Sequence, residues 1–203
     1  MAVGAILTQN TSWSNASAAV RQLKRLRLLD PSRLERLPQR RLASVIRSSG
    51  YFNQKAKRLK VFVRHLNLRY GGRMERMRAV PTHRLREELL SLWGIGPETA
   101  DSILLYALEK PVFVVDAYTK RILARHGLVS WDASYNEMQN LFHSMPGQGR
   151  NRTAKYNEYH ALIVETGKRF CHARPDCFSC PLRRVGNIKL EPGASILSKM
   201  HKK

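Results

Sequence analysis

Two helical patterns meet at Leu92-Trp93-Gly94-Ile95-Gly96-Pro97-Glu98-Thr99-Ala100, and this junction restricts the fold more than any other stretch of the chain. Gly94 can take the left-handed conformation that ends a helix. Ile95, a single apolar residue between two glycines, can plug the gap between the helices. Gly96 lets backbone approach a ligand closely, and Pro97 suits the first turn of the following helix. The amides at that helix start, with the positive end of the helix dipole, then form an anion site suited to one DNA phosphate. Such a contact reads the backbone and not the base sequence. An ordinary αα-hairpin with a glycine turn shows the same pattern, so the rest of the chain has to decide between the two.

Charge narrows the choice of partner. The 203 residues carry 36 Lys and Arg against 15 Asp and Glu, a net charge of +21. A surface this basic attracts polyanions through counterion release and long-range steering. Nucleic acid is the first candidate and an anionic membrane the second, but no basic amphipathic helix stands apart as an anchor. No apolar run reaches the roughly 18 residues of a membrane span. The apolar start, Met1 to Thr11, has neither a basic leader nor a cleavage site and does not read as a signal peptide. The chain's 3 cysteines, Cys171, Cys177 and Cys180, are not a secreted disulfide framework. A reducing cytoplasm, in association with the nucleoid, is the expected compartment.

Apolar residues recur at three- and four-residue spacing, and β-branched alternation is scarce, so the expected class is all-α. A first helix is expected from about Ser14 to Leu29, stopped by Asp30-Pro31, which equally caps the next. Short helices follow around Leu34–Leu37 and Arg40–Ser48. Asn53–Tyr70 reads as a long basic helix with Ala56, Leu59, Phe62, Val63 and Leu66 on one face, ended by Gly71-Gly72. Helices are further expected over Thr82–Trp93, from Pro97 to about Leu108, from Asp116 to about His126 and over Ala154–Phe170, with a helix end at Gln139–Met145 stopped by Pro146. Gly147-Gln148-Gly149 reads as a loop.

Twenty residues beyond Gly96, the apolar run Val112-Phe113-Val114-Val115 delivers Asp116 to a helix start. A lone Asp there is most often an N-cap. A catalytic carboxylate also needs such a place, with apolar walls, helix amides and a fixed position.

Together, Leu92–Ala100, Ser102-Ile103-Leu104 and Pro111–Arg121 resemble the helix-hairpin-helix DNA glycosylase superfamily, in its endonuclease III-related branch that includes 3-methyladenine glycosylases. Ala5–Thr11 and Gly50–Leu59 match as well, and the likeness runs from about Val3 to Leu182. It begins almost at Met1, where relatives carry a further segment, so the expectation is a misassigned start or a lobe one helix short. The resemblance implies a two-lobed helical fold in which a damaged nucleotide of duplex DNA is flipped into a cleft. Asp116 would stabilise the developing oxocarbenium sugar or orient the nucleophile. Glu98 and Tyr118 would line the base pocket, and Gln9 would fill the space of the flipped base as a wedge or cap a helix. Gly94, Gly96, Thr99 and Lys120 would meet DNA phosphate. Trp13 would pack in the core.

In bifunctional members a lysine at the second position after the hairpin's second glycine attacks the sugar and allows strand cleavage. Here that position is Glu98, so a monofunctional enzyme with water as nucleophile is expected. The alternatives are a bifunctional glycosylase and lyase, or a non-catalytic DNA-binding module. Relatives hold a [4Fe–4S] cluster on four cysteines. Here Cys171, Cys177 and Cys180 would be ligands, Gly186 stands in the fourth position, and a cluster and a metal-free remnant both remain open. His172 or Asp176 could complete a zinc site. Arg169, Arg174, Arg183 and Arg184 would bring phosphate contacts to this loop. The expected organisation is one lobe of 1–13 with 127–185, a second lobe of 14–126 carrying the hairpin at 85–108, and a disordered basic tail at 186–203. A monomer is expected.

Overall fold

The structure is a computed structural model and describes residues 1–146 and 149–186. The tail from 187 onward and the Gly147-Gln148 part of the expected loop lie outside the described residues. All regular structure among the described residues is helical, in agreement with the all-α expectation. No helix among them is long and apolar enough to cross a membrane.

Capping chemistry sets the helix boundaries in the first unit. Ala2–Thr8 (α1) is followed by Trp13–Arg25 (α2), whose N-cap Ser12 accepts a hydrogen bond from the Asn15 amide. Pro31–Arg36 (α3) starts as its sequence dictates: Asp30 accepts from the Arg33 amide at 2.8 Å, and Pro31 occupies the first turn. Gln39–Val45 (α4) leads through a short 3-10 turn to Phe52–Tyr70 (α5), which Gly71 ends in the left-handed conformation. Met74–Arg78 (α6) and Thr82–Leu90 (α7) precede Pro97–Ser102 (α8), which passes into a π-helical turn at Ile103–Ala107.

The buried face of α5 holds Ala56, Leu59, Phe62, Val63 and Leu66, as its spacing implies. Two departures stand out. Lys55 is also fully buried, its ammonium donating to the Leu7 and Ser49 carbonyls. Trp13, expected in the core, is 52% exposed and lies over Gly4 of α1. Gly4 offers no side chain to bury it under.

The second unit contains Ala117–Arg125 (α9), Tyr135–His143 (α10) and Arg152–Arg169 (α11), followed by the cysteine loop. A capping box opens α10: the Ser134 side chain accepts from the Glu137 amide, and the Glu137 carboxylate accepts from the Ser134 amide. The helix ends at His143, inside the stretch Gln139–Met145 where a helix end was expected. The units divide at Met1–Pro111 and Val112–Lys203. This grouping differs from the expected boundaries: α1 falls with the hairpin helices, and α9 falls with the cysteine loop.

Candidate active site

The hairpin is built as its glycines require. Gly94 has φ 81, and the Ile95 amide closes the turn on the Leu92 carbonyl. Ile95 is buried between the helices. A Cβ on Gly94 would lie 2.6 Å from Arg58 Cγ, so the arginine crosses where only glycine leaves room. Gly96 faces open space, which suits close approach of a phosphate. Arg86 grips the fully buried Asp101 through two hydrogen bonds of 2.7 and 3.1 Å, tying α7 to α8.

Gln9 is bound to this hairpin. Its Nε2 donates to the Gly94 carbonyl at 3.0 Å and to Thr99 Oγ1 at 2.8 Å, while its Oε1 accepts from Arg58 at 2.5 Å. Thr99 is buried, so its hydroxyl serves the hairpin from within. Glu98 is exposed on the first turn of α8. Sequence reasoning gave no role to Trp93. It is half-exposed beside Gly94, with the Lys57 ammonium 4.1 Å from its ring centroid. An exposed aromatic next to a glycine turn was the available signal.

Asp116 sits at the N-cap of α9. Its Oδ1 accepts from both the amide (2.7 Å) and the hydroxyl (2.9 Å) of Thr119. Its Oδ2 lies 3.6 Å from Nε2 of His160 on α11, and the aspartate side chain is 14% exposed. Burial pushes this carboxyl up, but the nearby His160 and the Thr119 hydrogen bonds together outweigh it and hold the group below the usual carboxylate range. The site therefore keeps one ionised oxygen away from the helix amides. His160 was not singled out in the sequence; a histidine on the inner face of an amphipathic helix gives no sign of what it meets.

Tyr118 packs against α11: a Cβ on Gly167 would fall 2.4 Å from its ring, and the Arg121 guanidinium lies 5.1 Å from its centroid. Lys120 is exposed one turn beyond Asp116.

The cysteine loop does not fit a [4Fe–4S] cluster. Cys171 and Cys180 are buried and Cys177 partly so, all three as free thiols. The fourth position, Gly186, has φ 65, and a Cβ there would lie 2.4 Å from the His126 carbonyl oxygen. Among the described residues no group of three or more His, Cys, Asp or Glu side chains is arranged to hold a metal ion. The expected ligand set, His172 and Asp176 included, is not assembled among the described residues. The loop is held by arginines instead. Arg125, 2% exposed, donates to Cys171 Sγ at 3.3 Å and to the His172 carbonyl at 2.7 Å. Arg121 donates to the Cys171 carbonyl. His126 Nδ1 donates to the Val185 carbonyl at 2.5 Å. Of the arginines expected to reach phosphate, Arg183 bonds the Phe178 carbonyl within the loop, and Arg169 pairs with Glu165.

A glycine hairpin between helices, together with a carboxylate at a helix start behind an apolar run, defines the class of helical base-excision proteins. Residues 3–146 match the family model described as HhH-GPD superfamily base excision DNA repair protein, and the chain belongs to that family. It is 45% identical, over 89% of its length and 81% of the relative's, to a protein of Methanocaldococcus jannaschii provisionally named a DNA repair glycosylase. It is similar in structure to the Helicobacter pylori 3-methyladenine DNA glycosylase bound to 1,N6-ethenoadenine, with TM-score 0.73, 29% identity and 83% of each chain covered. It is also similar to an endonuclease III in non-covalent complex with DNA, with TM-score 0.75, 25% identity, and 91% of this chain and 80% of that one covered.

Proposed function

We propose that this chain is a monofunctional DNA N-glycosylase that hydrolyses the bond between a damaged base and its sugar in duplex DNA, with Asp116 as the catalytic carboxylate. The observation that carries the reading is the division of labour within that side chain. Oδ1 is committed to Thr119, while Oδ2 faces His160 in a partly exposed carboxylate held in its ionised form. A fixed anion of this kind stabilises positive charge as it develops on the sugar and orients the attacking water. An aspartate serving only as an N-cap has no need of a second oxygen held charged against burial.

Exposed Glu98, in the place of the lyase lysine, supports water as the nucleophile. It also favours an alkylated purine as substrate, a preference that the likeness to a 3-methyladenine glycosylase supports. The open amide turn at Gly96 and the exposed Lys120 supply phosphate contacts in this reading. Gln9 carries the wedge role from a position tied to the hairpin, and it must release Gly94 and Thr99 to enter DNA. The cysteine loop serves without a cluster, and the enzyme works as a monomer in the cytoplasm.

The test is base release from a panel of alkylated, oxidised and mismatched duplexes, by wild type and Asp116→Asn side by side. Wild type releases free base from at least one duplex and Asp116→Asn from none. Borohydride trapping on abasic-site DNA yields no covalent adduct. An adduct would establish a lyase and overturn the monofunctional reading.

A further inference from the structure

The segment that delivers Asp116 is extended yet pairs with no strand. Its backbone groups are met by side chains of α10. Val115 donates its amide to the Tyr135 hydroxyl at 3.3 Å. The Phe113 carbonyl accepts from Gln139 Nε2 at 2.6 Å, and the Phe113 amide donates to His143 Nε2 at 3.2 Å. Tyr135, Gln139 and His143 are spaced four apart and share one face of the helix. Four helical residues advance about 6 Å and two extended residues about 6.6 Å, so the step from Tyr135 to Gln139 matches the step from Val115 to Phe113, and His143 takes the remaining Phe113 group. The pairing runs antiparallel, the start of α10 opposite Val115 and its end opposite Phe113.

The other side of the segment is fixed by packing. The Phe113 ring stacks on Phe142 of α10 at 3.5 Å between centroids and meets Tyr156 and His160 of α11 edge-on. Gln139 and Phe113 are buried. Buried backbone groups need partners, but apolar packing alone would tolerate a small slide of the segment along its own axis. Directional hydrogen bonds at Phe113 and Val115 remove that freedom one residue before the carboxylate.

We propose that Tyr135, Gln139 and His143 are positioning residues: a ladder of helix side chains that takes the place of a neighbouring strand and fixes where Asp116 meets the sugar. This inference rests on the reading of Asp116 as the catalytic group. The ladder touches no substrate and acts on Asp116 through the Phe113 and Val115 backbone. Its loss therefore slows the chemical step and leaves DNA binding as it was.

The experiment compares single-turnover base release at saturating enzyme with affinity for the same duplex carrying an abasic-site analogue, each at a temperature where the melting curve shows the variant folded. The substrate is the duplex that wild type processes fastest. Gln139→Met and His143→Leu lower the rate by at least ~10-fold, as misplacement of a reacting group by a fraction of an ångström does, with affinity unchanged. His143→Gln, whose amide oxygen again accepts from the Phe113 amide, recovers most of the rate. Where the two larger changes prevent folding, Tyr135→Phe, which removes a single hydroxyl, gives a smaller fall of the same kind. Rates at the wild-type value, or rate and affinity falling together with no rescue by His143→Gln, overturn the ladder. Base release by Asp116→Asn would instead overturn the reading of Asp116, so the two failures are told apart.

Discussion

His160 Nε2 lies 3.6 Å from Asp116 Oδ2, on the side of the carboxylate that Thr119 leaves open. Burial raises the carboxyl and the His160 and Thr119 contacts lower it further, so its folded value is depressed. A depressed carboxyl contributes stability that is fully present above the unfolded value of about 3.9 and is lost as pH falls through the folded value. The difference in denaturation midpoint between wild type and Asp116→Asn is therefore flat above about pH 5 and shifts against wild type only in stronger acid. With His160→Leu the burial stays while the largest lowering contact goes. The acid limb of the base-release profile then moves to higher pH. An unmoved limb would show that His160 does not govern the charge on Asp116.

Gly167 of α11 leaves no space between its backbone and Tyr118 of α9. Gly to Ala inside a helix normally gains about 1 kcal/mol. Here the added methyl meets the ring at 2.4 Å, and overpacking of a fitted contact costs about 1–3 kcal/mol. The steric effect wins, and Gly167→Ala lowers the urea midpoint. Tyr118→Ala opens the space, so Gly167→Ala made in that background is neutral or stabilising. A double-mutant cycle with no coupling would place Tyr118 away from α11.

The hairpin and the place of Asp116 were legible because each depends on local chemistry: a left-handed glycine, a proline at a first turn, a carboxylate at an N-cap. Trp13 was misread, and Lys55 passed over, for the opposite reason. Lys55 is buried because two distant carbonyls, Leu7 and Ser49, await its ammonium, and no spacing along one helix announces that. Trp13 is exposed because its neighbour in space is a glycine. The polar face Tyr135, Gln139, His143 was visible as a four-residue repeat, but its meaning lay in the backbone opposite. The three cysteines pointed to a metal by analogy, while the buried guanidinium that meets Cys171 comes from a helix more than 40 residues earlier.

Burial, and then the nearby Arg58, lower the Lys55 ammonium to about 8. Replacing a buried charge by an apolar residue is often harmless when its partner is replaced too. Here Lys55→Met leaves the Leu7 and Ser49 carbonyls behind, at about 1–3 kcal/mol for each unmet group, so the variant is less stable at neutral pH. Between about 8 and the unfolded value of about 10.4 the unfolded lysine binds the proton that the folded one has lost. Wild-type stability relative to Lys55→Met therefore rises with pH across that window. Paired guanidinium melts at pH 7 and pH 9.5 read this directly, and a gap that shrinks with pH contradicts it.

Arg125 occupies the heart of the cysteine loop, with its guanidinium on Cys171 Sγ and the His172 carbonyl. An arginine this deeply buried needs partners for its donors, and Cys171 Sγ and the His172 carbonyl both accept from its Nη1. The start of the loop is thus tied to α9. Protein purified without oxygen carries no stoichiometric iron and has no absorbance near 400 nm, and a strong chelator leaves its melting temperature unchanged. Arg125→Met strands the loop carbonyl and thiol, costs about 3 kcal/mol or more, and exposes the two buried cysteines to a thiol reagent that reacts slowly with wild type. Arg125→Lys reaches with one point charge where a fork is needed and rescues only in part. Gly186→Cys, offered as a fourth ligand, lowers stability and recruits no iron, because its Cβ falls on the His126 carbonyl and its backbone must hold φ 65. A brown, iron-loaded wild type, or one that melts early in chelator, would return the loop to the cluster-bearing pattern of its relatives.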